Sequence, residues 1–434
     1  MEELSRLRTA TVTGVAARER RLTEADIRDL LATALAAEDL AGRRVLVIIP
    51  DSTRTAPIAL MSEIVDEILG DTVETLDYLV ALGTHPAMDD AALSTLLGRE
   101  VKDGRAGASR VFNHRWDLPE TFVTLGTINA AEVAEATGGR LEMDVPVRLN
   151  RLLGEPGGHL PYDRIIVCGP VFPHEVAGFS GGKKYFVPGV AGPEVIDVTH
   201  WVGALLTSRG IIGTTDTPVR QLIDRAASFI PTPRFLIALV MDGEDLHGLY
   251  VGDMEEAWRA ATGLSAELDI IFVESPFERV LSVMPRMYDD LWTGAKGMYK
   301  LEPAIADGGE VIIYAPHITE VSYVHGRYLD EIGYHVRDYF LAQWEHFKHI
   351  PWAVLAHSTH LRGDGTFIDG VEKPRIRVTL ATGIPRERCE RIGLGYTDPA
   401  TINPEEWADR EDEGVLLVRR AGEQLYRVRD TKEA

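Results

Sequence analysis

The sequence predicts an α/β protein of two α/β domains with mainly parallel sheets and an active-site cleft between them. Three observations carry that expectation. Apolar runs such as RRVLVIIP (43–50) lack polar alternation, as strands covered on both faces do. These runs alternate with helical patterns at the spacing of strand–helix–strand units. And 434 residues exceed what one ordinary core accommodates.

Taken in order, Thr23 with Asp26 reads as a capping box ahead of Ile27, Leu30, Leu31 and Leu35, so a helix starts there. The 43–50 strand follows, then the polar loop DSTRTAP and a helix over 56–69. TLDYLVALG (75–83) is the next strand, ending in THP before a helix at 89–98. RIIVCGP (164–170) is a third strand. A later set comprises 268–275, 308–316, 352–358 and 376–383, with VLLVRR and EQLYRV (415–428) as a hairpin about a short AG turn. The break is expected near 255–266. It divides the chain into a cofactor-binding and catalytic domain, 1–262, and a domain that closes the cleft, 263–434.

A formal charge of −22 disfavours nucleic acid and anionic membrane as partners, because both repel it. Two cysteines, Cys168 and Cys389, make no disulfide framework and point to a reducing compartment. The opening MEELSRLRTA has no apolar core of a secretory signal, and no run approaches a membrane span, so a cytoplasmic location is expected. The oligomeric state is left open.

Chemistry concentrates between Pro173 and Trp201, where His174, Lys183, Lys184 and His200 surround Gly181–Gly182. The segment is not a phosphate loop: from Gly178 the spacing is one residue short, and Lys184 stands where Ser or Thr holds magnesium. No GxGxxG follows a strand in the first domain, and HEVAG is not HExxH. A plain turn with surface lysines is the competing reading. His174 and His200 each suit a metal ligand or a general base, against a purely structural role. Asp51 and Arg54, His85, and His174 follow three separate strands, and ligands of open α/β sheets lie outside such carboxyl ends. Arg54 suits a bidentate carboxylate clamp or an ion pair with Asp51. His346–His349 reads as a helix surface; His357–His360 follows a predicted strand and faces the cleft.

Together DSTR (51–54), GTH (83–85), PHEVAGFSGGKK (173–184) and THW (199–201) resemble the lactate racemase family. LGTIN (125–129), VRLNRLL (147–153) and PRMYDDLWTGAKGM (285–298) stand in the family's order. The resemblance implies a nickel-pincer nucleotide cofactor, a pyridinium mononucleotide whose ring carbon and two sulfurs bind nickel. It implies Lys184 as the thioamide tether, His200 as the nickel ligand, and His85 and His174 as catalytic bases. Arg54 and Lys296 then contact anionic groups, Asp51 contacts the cofactor, and Gly181 and Gly182 allow its close approach. The implied reaction inverts C2 of a 2-hydroxy acid by reversible hydride transfer through a 2-keto acid. The implied partners are that substrate and, transiently, cofactor-synthesis proteins. Where the family has glutamine near Lys296 this chain has Thr293, which implies a substrate larger than lactate, such as a sugar acid meeting Thr293, His357 or His360. Alternatives are a Schiff-base lysine enzyme at Lys184 and a non-catalytic nucleotide-binding homologue.

Overall fold

The apolar runs at 44–50, 75–81 and 164–170 occupy the middle of a sheet, and their burial explains their composition. Val45 through Ile49 are all 2% exposed or less, so both faces of that strand are covered. The computed structural model describes residues 4–429, and the chain divides into two units. The first runs to Phe172 and adds Phe179–Ile196 and Arg220–Leu268; the second takes Pro173–Gly178, Asp197–Val219 and the chain from Asp269.

In the first unit the described strands run Ser5–Arg8, Val12–Ala16, Asp245–Gly252, Arg234–Asp242, Arg164–Pro170, Arg44–Pro50, Thr75–Ala81, Ser109–Asn113 and Arg105–Ala106 across one sheet. From 234–242 to 109–113 the neighbours are parallel. The edges on either side are antiparallel. From 44–50 the chain builds outward through helix Ile58–Leu69 to 75–81, then through Asp90–Leu97 to 109–113. The 164–170 strand then joins the opposite side of 44–50. The strand order therefore reverses at 44–50, where an open α/β sheet presents a crevice.

Helix Glu24–Ala36 starts where the capping box places it. Thr23 Oγ1 accepts from the Asp26 amide, and the Asp26 carboxylate accepts from the Thr23 amide. Its buried face is Ile27, Leu30, Leu31, Ala34 and Leu35, the spacing of one helical stripe.

The second unit has a described sheet in the order Gly395–Tyr396, Arg377–Thr382, Ile305–Ala315, Phe277–Val283 and Val415–Val418, parallel throughout. Two expectations are corrected here. Residues 352–358 are not a strand but part of helix Trp352–Arg362, whose residues Ala353 to Leu361 are all buried. A helix buried all round shows no periodicity and reads like a buried strand. Nor is 415–428 a hairpin. Val415–Val418 pairs with 277–283, whereas Leu425–Val428 pairs in parallel with Ile270–Val273. The strands at 268–275, 308–316 and 376–383 are present, and helix Met254–Asp269 spans the region where the break was expected. Among the described residues no helix is long and apolar enough to cross a membrane.

Replacing Thr23 by Ala should cost about 1 kcal/mol, the usual worth of an N-cap side chain. Urea denaturation should show that loss as a lower midpoint with an unchanged slope.

Candidate active site

The carboxyl ends of three adjacent strands meet in register, with Pro50 opposite Ala81 and Ile48 opposite Val167. The residues just beyond these ends are brought together. Asp51 Oδ2 lies 2.5 Å from His85 Nδ1, and Asp51 Oδ1 accepts from the Thr53 amide at 3.0 Å and its hydroxyl at 2.6 Å. Burial disfavours the Asp51 anion, but the His85 charge and hydrogen bond, with Arg54 and Thr53, outweigh it and hold the carboxyl well below the usual range. The acid is therefore an acceptor at neutral pH, and His85 donates to it from Nδ1–H. The indole N–H of Trp116 donates to the His85 carbonyl at 2.8 Å and holds its backbone.

Thr53 closes the Asp51 turn, and an Asp51–Arg54 ion pair does not. Arg54 Nη1 donates to the Thr53 hydroxyl at 2.7 Å, and its guanidinium lies 5.9 Å from the Phe172 ring centroid.

The lysine loop continues the same unit. Ser180 Oγ donates to the Pro170 carbonyl and accepts from the Phe172 amide, which ties the loop to the end of 164–170. Gly181 (φ +76°) and Gly182 (φ +58°) adopt backbone that side chains rarely take. A Cβ on Gly181 would lie 2.6 Å from Val171, and one on Gly182 would lie 3.0 Å from the Trp258 ring. Contact with protein thus already requires these glycines. Trp258 Nε1–H donates to the Ser180 carbonyl at 2.8 Å, and the buried Arg220 guanidinium lies over its ring at 4.1 Å while donating to the Phe179 carbonyl.

Lys183 Nζ pairs with Glu255 at 3.1 Å and Asp224 at 3.3 Å, so its charge is committed within the fold. Lys184 follows it in the short 3-10 turn Gly182–Tyr185 and is half-buried.

His114 also shapes this loop, a role its sequence context did not signal. Its Nδ1 accepts from the Asn150 side-chain amide at 3.2 Å, so its Nε2–H donates to the Ala191 carbonyl at 3.1 Å. Burial pulls its pKa down to about 4, so the ring stays neutral in that role.

The remaining candidates belong to the second unit. His174 Nδ1 accepts from the Val176 amide at 3.1 Å and lies 3.3 Å from Glu175. A backbone N–H can only donate, so the neutral His174 ring carries its proton on Nε2. His200 is half-buried on helix Pro193–Leu206, whose next residue, Trp201, stacks on Trp344 at 5.2 Å. Lys296 is buried, with Nζ 4.6 Å from the Tyr288 ring centroid.

Of the three groups expected to meet substrate hydroxyls, two are engaged internally. The Thr293 hydroxyl bonds to its own helix cap, Asp290. His357 stacks on Trp292 at 4.0 Å, and its Nε2 bonds to the Trp292 carbonyl at 3.0 Å. His360 is buried with no hydrogen-bond partner at Nε2. Burial first, and neighbouring histidine charge second, push both rings down to about 3, so neither is cationic at neutral pH.

Because its folded pKa is depressed, Asp51 stabilises the protein above its unfolded pKa of about 3.9, and that contribution is lost as pH falls through the folded value. Asp51→Asn should be less stable at neutral pH and show a flatter acid limb than wild type. Urea midpoints from neutral to acid pH measure both effects.

Residues 5–210 match the family model described as the lactate racemase N-terminal domain. A lactate racemase from Thermoanaerobacterium thermosaccharolyticum is 24% identical over 285 residues, 64% of this chain and 61% of that protein. The chain thus spans less than two thirds of that relative's length. A solved Thermotoga maritima protein matches with a TM-score of 0.86 and 33% identity, over 95% of this chain and all 100% of the other. The lactate racemase apoprotein from T. thermosaccharolyticum matches with a TM-score of 0.66 at 17% identity, over 94% of this chain and 93% of its own, which is a likeness of fold. Residues 5–210 are therefore similar to the N-terminal domain of lactate racemases.

Proposed function

We propose that this chain is an isomerase, a racemase or epimerase that inverts C2 of a 2-hydroxy acid through a 2-keto acid, using a nickel-pincer nucleotide. The observation that carries the reading is the Asp51–His85 pair at adjacent strand ends, in the same unit as the lysine loop.

The donor set suits such a group. Among the described residues no cluster of three or more His, Cys, Asp or Glu is placed to hold a metal ion. Nickel at His200 would therefore draw its other donors from a bound cofactor, and soft sulfur with one imidazole suits it. Lys184 is the tether by its place in the GGKK motif, and the neighbouring Lys183 pairs with Glu255 and Asp224. When bound, the group supplies an acceptor and donor of hydride.

The chain's own part is proton handling and orientation. His85, with Nδ1–H on Asp51, offers Nε2 as the base that takes a substrate hydroxyl proton. His174 acts as the acid when both its nitrogens carry protons, giving the proton on Nε2 and returning to the neutral ring whose Nδ1 accepts from Val176. Once each has exchanged a proton, their roles reverse for the other enantiomer. When His174 is cationic, Nδ1–H turns from an amide it cannot pair with to the adjacent Glu175 carboxylate. Arg54 fixes the substrate carboxylate and Lys296 neutralises a second anionic group. The two buried thiols are consistent with a cytoplasmic location, where the cofactor-synthesis proteins would act on it.

A 2-hydroxy acid deuterated at C2 should keep its label through inversion in ordinary water. Washout into solvent would sink the hydride mechanism in favour of proton abstraction. His85→Ala and His174→Ala should each cost about 10²- to 10⁴-fold in turnover, the usual share of a general acid or base, with nickel retained. His200→Ala should lose nickel, and Lys184→Ala should lose the covalent adduct by mass.

A further inference from the structure

The second unit contains a cavity of about 260 Å³ that the proposed reaction does not use. It lies where the end of helix Pro193–Leu206 meets the end of helix Trp352–Arg362, and Ser208, His360, Glu302, Asp364 and Arg337 line it. Two of these groups are buried polar atoms without a partner: Ser208 Oγ and His360 Nε2, on residues each 4% exposed. An unsatisfied buried donor or acceptor is costly, so a fold retains two beside one cavity only with a compensating use. The rim is strained as well, since Thr207 has φ +66° and ψ 144°, a region almost reserved for glycine.

The lining also says what it would hold. Its charges are already paired: Asp364 with Arg209 at 3.5 Å and Arg337 with Asp338 at 2.8 Å, while Arg375, 3.6 Å from Glu302, pairs with Asp307 at 3.0 Å. Arg337 Nη1 is further engaged by the Leu205 carbonyl at 3.0 Å. No unpaired positive group remains for an anion, and among the described residues no cluster is placed to hold a metal ion. What remains is a mixture of neutral donors and acceptors: a hydroxyl, an uncharged imidazole and carboxyl oxygens. Burial first and the Asp364 charge second raise the Glu302 pKa, which adds a carboxyl able to donate or accept near neutral pH.

We infer that this cavity binds a small uncharged polyhydroxylated molecule, a polyol or monosaccharide, through Ser208, His360, Glu302 and Asp364. Its volume, about nine waters at ~30 Å³ each, suits a chain of about three to six carbons.

The test uses the full chain without cofactor, probed with glycerol, erythritol, ribose and glucose by calorimetry and ligand-observed NMR, with glycerate and magnesium as charged comparisons. At least one neutral probe should saturate one site per chain, equally well in Lys184→Ala. Ser208→Ala and His360→Asn should each weaken it at least about tenfold, the scale of one lost hydrogen bond. The unliganded Ser208→Ala protein should melt no lower than wild type, because its hydroxyl has no partner within the fold. The inference is overturned if no neutral probe saturates, if only glycerate or magnesium binds, or if both variants bind unchanged. Binding that needs the tethered cofactor would assign the cavity to the reaction site and overturn it too. A Ser208→Ala protein that melts well below wild type would make the hydroxyl structural, with the same consequence.

Discussion

Keeping an ionised carboxylate buried at the end of a strand is the constraint on which the candidate site depends. Asp51 is 6% exposed, and an isolated carboxylate there would protonate rather than accept the desolvation cost. It stays charged because Thr53 donates twice from its own turn and His85 donates from the neighbouring strand end. The second partner exists only if 44–50 and 75–81 keep their parallel register, so sheet and site are specified together. A slip by one residue would turn Val45–Ile49 over and leave Asp51 without its imidazole.

The lysine loop depends on the same strand ends. Ser180 anchors its beginning to Pro170, and the Gly83 amide donates to the Gly189 carbonyl at its far end. His114 and Asn150 hold Ala191 and Val190 from the other side. All four bonds end on a main-chain carbonyl and fix the path of the loop. A main chain fixed in this way would preorganise the proposed tether at Lys184. The double glycine belongs to the anchoring: it lets the chain pass Val171 and Trp258 at distances no Cβ permits.

Much of this was legible from residue order. Strand ends followed by DSTR and GTH mark a crevice, because parallel topology brings such ends side by side, and Asp51 and His85 meet there. The buried runs of the first unit were equally plain, since a strand covered on both faces is apolar throughout. The same rule misread 352–358, where a helix with nine consecutive buried residues carries no periodic signal. The 415–428 region misled for a different reason. A short turn between two apolar runs suggests that they pair with each other, yet parallel partners distant in sequence, 277–283 and 270–273, took both. His114 and Arg220 were missed because their partners are backbone carbonyls, and no side-chain pattern announces a carbonyl.

Protonation was the part that residue identity could not carry. From sequence, His85 and His174 are equivalent imidazoles after equivalent strands. Their Nδ1 atoms meet opposite kinds of group: a carboxylate 34 residues upstream for His85, and an amide two residues downstream for His174. The carboxylate can only accept and the amide can only donate, so the two neutral rings are obliged to be opposite tautomers. In the proposed inversion His85 therefore starts as the proton acceptor, whereas His174 gives a proton only when both its nitrogens carry one, because a neutral ring without its Nε2–H would be an imidazolate. The proposed chemistry thus rests on the difference in second partners rather than on the presence of two histidines.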